Sequence, residues 1–162
     1  MRDEFAPEIS YDQVLDLAHD FIETATSRHS AMEGIAGLLK ASMPHYSWVG
    51  FYLLQDHGNT LKVGPYRGDP TPHIEIPLDK GICGAAVSAR ATVIVPDVNA
   101  DSRYLSCSIK TKSEIVVPII KGEKVFGEID IDSETLNAFN EADRKLLEKI
   151  SKKLADLFDR LA

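Results

Sequence analysis

Two residues in this chain can do covalent chemistry at sulfur. Cys83 sits between glycines in the stretch Gly81-Ile82-Cys83-Gly84, and Cys107 sits between Ser106 and Ser108 in a polar stretch. A thiolate is both a nucleophile and a redox centre. Downstream come Glu114, at the start of an apolar run, and then Glu128, Asp130 and Asp132 alternating with Ile129 and Ile131. In a strand, the period of two turns these three acids to one face and the isoleucines to the other. Taken alone, such alternation suits a solvated sheet face. Aspartate is depleted in strands, however, and two in one strand beside a strand opening on Glu114 make a carboxylate cluster. Clustered carboxylates hold their protons more tightly unless a cation sits among them. The arrangement suits a pocket for an ammonium group, or an acid kept protonated for proton transfer.

Each of these residues also has a plainer reading. A cysteine between glycines can be a small core residue near a turn, and a loop thiol can be incidental. Trp48 and Tyr52, four apart in an apolar run, share one face of a strand. Core packing explains them by themselves. On the acidic face they would form an aromatic wall suited to a small zwitterion with an apolar tail. The cysteine spacing and the five histidines match no ligand signature, so no metal is expected.

These residues need elements to position them. Residues 1–9 read as an arm. Ser10 to Gln13 reads as a capping box, followed by Val14, Leu17, Ala18, Phe21, Ile22 and Ala25 on one helical face. A second box is expected at Ser30 to Glu33, opening a helix that Pro44 helps to end. Residues 48–54 and 61–66 read as a hairpin, and 73–77 as a short edge strand limited by Pro77. Residues 81–89 suit a short helix, and 92–95 a strand stopped by Pro96. Residues 97–113 form a polar loop carrying Cys107, with one helical turn expected around Arg103-Tyr104-Leu105. A hairpin over 115–131 follows, then a helix capped by Asn140 with Leu146, Leu147, Ile150, Leu154, Leu157, Phe158 and Leu161 on one face. The order is that of an α+β fold, with helices against an antiparallel sheet.

The chain has 162 residues, with 25 acidic against 18 basic side chains and a net charge of −7. One domain over 1–162 is expected at that length. The negative charge argues against a general nucleic-acid binder. No run is long enough for a membrane span, and the first residues lack the apolar segment of a signal peptide, so a cytoplasmic location is expected. Cysteines in such a reducing compartment are free, catalytic or redox-active more often than permanently bridged.

Together these pieces resemble the free methionine-(R)-sulfoxide reductases, a family of single GAF-domain enzymes. The resemblance rests on residues 48–52 (Trp-Val-Gly-Phe-Tyr), 81–84, the second cysteine at 107, 113–118 (Ser-Glu-Ile-Val-Val-Pro) and 127–133 (Gly-Glu-Ile-Asp-Ile-Asp-Ser). It implies a GAF-like antiparallel sheet of about six strands with the terminal helices on one face. It implies reduction of the free amino acid, with Cys107 as catalytic and Cys83 as resolving cysteine. Glu114, Asp130 and Asp132 match the pocket acids, and Trp48 and Tyr52 the aromatic wall. It also implies no bound cofactor, thioredoxin as external reductant, and a homodimer as GAF domains often form. One departure stands out: many members carry a further cysteine where this chain has His73. Either Cys83 resolves directly, which its intact motif favours, or an external thiol does, or activity has been lost. The other readings are a non-catalytic GAF module that binds a small ligand and signals, and a dimerisation module built on the terminal helices.

Overall fold

The computed structural model describes residues 9–106 and 108–161. Residues 1–8 of the expected arm and Cys107 lie outside the described residues. Ile9 packs against the core.

Helix α1 spans Tyr11–Thr24. Its capping box is the expected one: the Ser10 hydroxyl accepts from the Gln13 N–H at 3.1 Å, and Gln13 Oε1 accepts from the Ser10 N–H at 2.9 Å. Val14, Ala18 and Ile22 are buried, whereas Leu17 and Phe21 remain 42% and 44% exposed. Helix α2 spans Arg28–Ser42 and starts earlier than expected. Its cap is Ser27, paired reciprocally with Ser30, and not Ser30 paired with Glu33. Arg28 explains the early start. Its guanidinium donates to the Phe158 carbonyl and lies over the rings of Phe126 and Phe158, at 5.3 and 5.4 Å from their centroids. The first turn of α2 is thereby tied to the last helix.

Six strands follow: β1 (Trp48–Leu54), β2 (Thr60–Arg67), β3 (Glu75–Pro77), β4 (Val93–Val95), β5 (Ser113–Lys121) and β6 (Lys124–Ser133). They form one sheet in the order β3-β2-β1-β6-β5-β4, every neighbouring pair antiparallel. The proline-limited β3 and the proline-stopped β4 are the two edges, where a missing N–H costs no ladder bond. Helix α3 spans Gly81–Ala89. The last helix, α4, spans Glu141–Arg160 and is capped by Asn140. Among the described helices, none is long and apolar enough to cross a membrane.

The strand period of two divides the apolar residues between the two faces. Val49, Phe51, Ile115, Val117, Ile119, Ile129 and Ile131 point to one side, where α2 and α4 cover them and α1 packs on those two helices. The apolar stripe of α4 is therefore spent on the sheet. The other side carries Tyr52 and Val116, with Ile82, Cys83, Ala86 and Val87 of α3 above them. Between β4 and β5 the helical turn is a 3-10 helix at Val98–Ala100, not a turn at 103–105. Val98 is buried there, and the Asp97 carboxyl accepts from the Asn99 N–H. Asp101 instead draws the Arg103 N–H into a local turn at 2.9 Å.

Candidate active site

The acidic side chains of β6 face α3, and they are not solvated. Glu128 is 0%, Asp130 3% and Asp132 4% exposed, and Glu114 of β5 is 4% exposed. Register explains the cluster. Glu114 stands directly opposite Asp132, and Asp130 opposite Val116. On the other side of β6, Trp48 stands opposite Asp132 and Tyr52 opposite Glu128. The two ladders thus set Trp48, Tyr52, Glu114, Asp130 and Asp132 on one patch of sheet, as expected.

The aromatic wall is a stack of three rings. Trp48 lies 5.2 Å from Tyr66 and 6.3 Å from Tyr52 between centroids. The indole can lie flat because residue 50 is glycine: a Cβ there would come within 2.6 Å of Trp48 Cζ3 and 2.7 Å of Tyr66 Cβ. The indole N–H donates to the Asp69 carbonyl at 3.0 Å, and the Tyr52 hydroxyl to the His73 carbonyl at 2.9 Å. These two bonds hold the β2–β3 loop as the rim of the pocket. A cavity of about 50 Å³ lies between this rim, Trp48, Tyr52, Asp130, Asp132 and Ser108. A smaller one of about 20 Å³ shares Tyr52 and Asp130 and reaches His73, Cys83, Leu105 and Glu114.

Cys83 comes from α3, whose N-terminal turn lies over β6. Its thiol donates to Asp130 Oδ2 at 3.4 Å. The thiol has one proton to give, and both Glu128 oxygens, like Asp130 Oδ1 and Asp132 Oδ1, have no hydrogen-bond partner although fully buried. The ring nitrogen of His73 meets the carbonyl of Ser106 at 3.0 Å. Ser106 is thus fastened to His73, and Ser108 lines the larger cavity.

Burial dominates the electrostatics. It pushes the carboxyls of Glu128, Asp130 and Asp132 above their ordinary range, and the charge of Asp130 adds to this for the other two. Glu114 is in hydrogen-bond contact with Asp130 and Asp132. Two carboxyls bond to each other only when one keeps its proton. Burial likewise pushes the Cys83 thiol well up, followed by the charges of Asp130, Glu128 and Glu114. Cys83 is therefore a neutral thiol at rest. The site can bind a cation, donate a proton from a buried carboxyl, and offer a thiol that acts once its proton is taken.

Several lining residues were not singled out from the sequence. Asp69, Pro70 and Thr71 read only as loop, and His73 only as a departure. Glu128 was one acid of the alternating set, with nothing to show that it would be the most buried. Cys83, Glu114 and Asp130 also make a three-ligand group able to hold a metal ion, their ligand atoms lying within 4.8 Å of one another. Spacing along the chain gave no sign of it, because each ligand comes from a different element.

This fold, with its buried polar pocket between sheet and loops, is shared with a known class. Residues 28–156 match the GAF domain model, so the chain belongs to the GAF-domain family. GAF domain-containing protein A of Dictyostelium discoideum is 35% identical over 91% of both chains. Within that family the chain belongs with the free methionine-R-sulfoxide reductases. The Escherichia coli protein of that name is 32% identical over 86% of this chain and 87% of its own length. The Neisseria meningitidis free methionine-R-sulfoxide reductase, solved in complex with its substrate, superposes with a TM-score of 0.88 at 33% identity, covering 92% of this chain and 88% of that one.

Proposed function

We propose that this protein reduces free L-methionine-(R)-sulfoxide to methionine. The observation that carries the reading is the set of buried acids, Glu114, Asp130 and Asp132, under an aromatic wall and beside a thiol. A buried carboxylate without a counter-charge costs several kcal/mol, and a substrate ammonium would offset that for Asp130 and Asp132, each of which has one buried oxygen without a hydrogen-bond partner. The Escherichia coli and Neisseria meningitidis relatives are named free methionine-R-sulfoxide reductases, and the latter was solved with its substrate bound.

Cys107 is the attacking nucleophile in this reading, because Cys83 is buried and protonated. Its sulfur attacks the sulfoxide sulfur, and a protonated carboxyl of the cluster delivers its proton to the oxygen. Oxygen passes to Cys107 as a sulfenic acid, and methionine leaves as the two-electron-reduced product. The Cys83 thiol then attacks the Cys107 sulfur, its proton passing by way of the neighbouring carboxylates to the departing hydroxyl. A disulfide forms and water departs. Thioredoxin returns both thiols by exchange. Trp48 and Tyr52 cradle the S-methyl end. Pairing as a homodimer through α1, where Leu17 and Phe21 stay exposed, and a place in the reducing cytoplasm complete the proposal.

The test is NADPH consumption with thioredoxin, thioredoxin reductase and the free (R)-sulfoxide. Turnover is expected with the wild type and lost in Cys107→Ser. Cys83→Ser keeps one stoichiometric turnover but loses thioredoxin-coupled cycling, which dithiothreitol restores. A wild type inert towards the free (R)-sulfoxide, or a Cys107→Ser variant that still turns over, rejects the proposal. A Cys83→Ser variant that cycles normally assigns the resolving thiol elsewhere.

A further inference from the structure

The group formed by Cys83, Glu114 and Asp130 has a property that the reductase chemistry does not use. We infer that in the reduced protein these three side chains form a binding site for a divalent d-block cation of the zinc type. Their ligand atoms come from α3, β5 and β6 and lie within 4.8 Å of one another. The Cys83 Sγ to Asp130 Oδ2 separation is 3.4 Å. A tetrahedral zinc with sulfur at about 2.3 Å and oxygen at about 2.0–2.2 Å holds those two atoms about 3.5 Å apart. One edge of the tetrahedron is already in place.

A second observation points to a cation. Asp130 Oδ1 and both oxygens of Glu128, which also lies against the sulfur, are buried without a hydrogen-bond partner. Glu128 is 0% exposed. Buried carboxyl oxygens are ordinarily satisfied. Among the described residues no lysine or arginine forms a salt bridge with Asp130 or Glu128, and only His73 acts on Asp130 from nearby, so a cation serves these oxygens. One thiolate and two carboxylates are a donor set for zinc rather than for magnesium or calcium, which take oxygen alone. Glu128 stands behind the ligands as an acceptor, and the small cavity reaching His73 and Leu105 leaves the fourth position open. Binding releases the thiol proton. A metal-bound Cys83 cannot enter a disulfide, so the cation caps this thiol and leaves upon oxidation. That consequence rests on the proposed reductase chemistry; the site does not.

The reduced full-length protein is titrated anaerobically with Co²⁺. One equivalent should produce a sulfur-to-cobalt charge-transfer band, which one equivalent of Zn²⁺ removes. Cys83→Ser should lose the band and Cys107→Ser keep it. Asp130→Asn and Glu114→Gln, near-isosteric changes that leave the sulfur in place, should each weaken Zn²⁺ binding about tenfold or more in competition with a chromophoric chelator. No uptake by the wild type, a band that survives Cys83→Ser or vanishes in Cys107→Ser, or a wild-type affinity in either carboxyl variant would overturn the assignment. The readout is absorbance, so it stands apart from any result with methionine sulfoxide.

Discussion

Asp132 shows what a single side chain in this pocket contributes and costs. Its carboxyl is buried, one oxygen has no partner, and burial first and the charge of Asp130 second hold its proton on. A carboxyl whose folded pKa is raised favours the folded state below the unfolded value of about 4 and loses that advantage as pH rises through the folded value. At neutral pH and above, the folded chain therefore holds, at a cost, a proton that the unfolded chain has shed. Asp132→Asn should raise the thermal midpoint at pH 8 by roughly 2–8 °C, about 1–2 kcal/mol for a chain of this size. The gain should shrink towards nothing at pH 4. The same variant should lose at least about tenfold in kcat/KM for the free sulfoxide, because the ammonium loses a counter-charge. Melting curves at the two pH values and one kinetic comparison check both halves. An unchanged midpoint at pH 8 would show that Asp132 is not a stored cost.

At the scale of elements, β1 and α3 deliver the parts that β6 lacks, each through a glycine. Gly50 gives the indole of Trp48 its flat berth. Gly84 lets α3 settle against the backbone of Leu78, whose carbonyl carbon a Cβ would approach to 2.9 Å. Gly50→Ala should tip the indole away from the sheet and raise KM several-fold to tenfold, with kcat changed less, since the wall binds rather than reacts. Steady-state kinetics separates the two constants, and a fall in kcat alone would remove the wall from the binding role. The acids of β6, the aromatics of β1 and their common face were legible in the sequence, because strand alternation fixes orientation whatever the tertiary fold. That the face is dry was not legible. It depends on α3 closing over it, and alternating acids look the same on a solvated sheet. The start of α2 escaped because Arg28 is fixed by the distant Phe126 and Phe158, not by its neighbours in the chain. Leu17 and Phe21 obey the helical period of α1 yet stay partly exposed, because α1 packs on α2 and α4 rather than on the sheet, and Phe21 meets α2 at Gly34.

Across the whole molecule, buried acids of opposite behaviour sit on the two faces of the sheet. On the helical side, Asp143 in the first turn of α4 accepts from Tyr46 at 2.7 Å, Tyr11 at 3.0 Å and the Asn140 N–H at 2.9 Å, with His45 Nε2 2.9 Å away. Burial alone would raise its carboxyl, but hydrogen bonds from His45, Asn140 and Tyr46 outweigh that and hold it below its usual range. It therefore stabilises the fold above the unfolded value of about 4, and that contribution fades as pH falls through the folded value. The pocket acids act in the reverse direction, their cost growing as pH rises. Stability should accordingly peak on the acid side of neutrality, bounded below by protonation of Asp143 and above by ionisation of the pocket. Asp143→Asn keeps the shape but leaves two tyrosine hydroxyls and His45 around a weaker acceptor. It should destabilise the protein by about 2–4 kcal/mol at pH 7, in the range for breaking a buried charged network, and by clearly less at pH 3. Urea unfolding of both proteins at the two pH values measures the difference. A loss that stays equal at pH 3 and pH 7 would mean that Asp143 acts as a neutral helix cap, and that the acid limit of stability lies elsewhere.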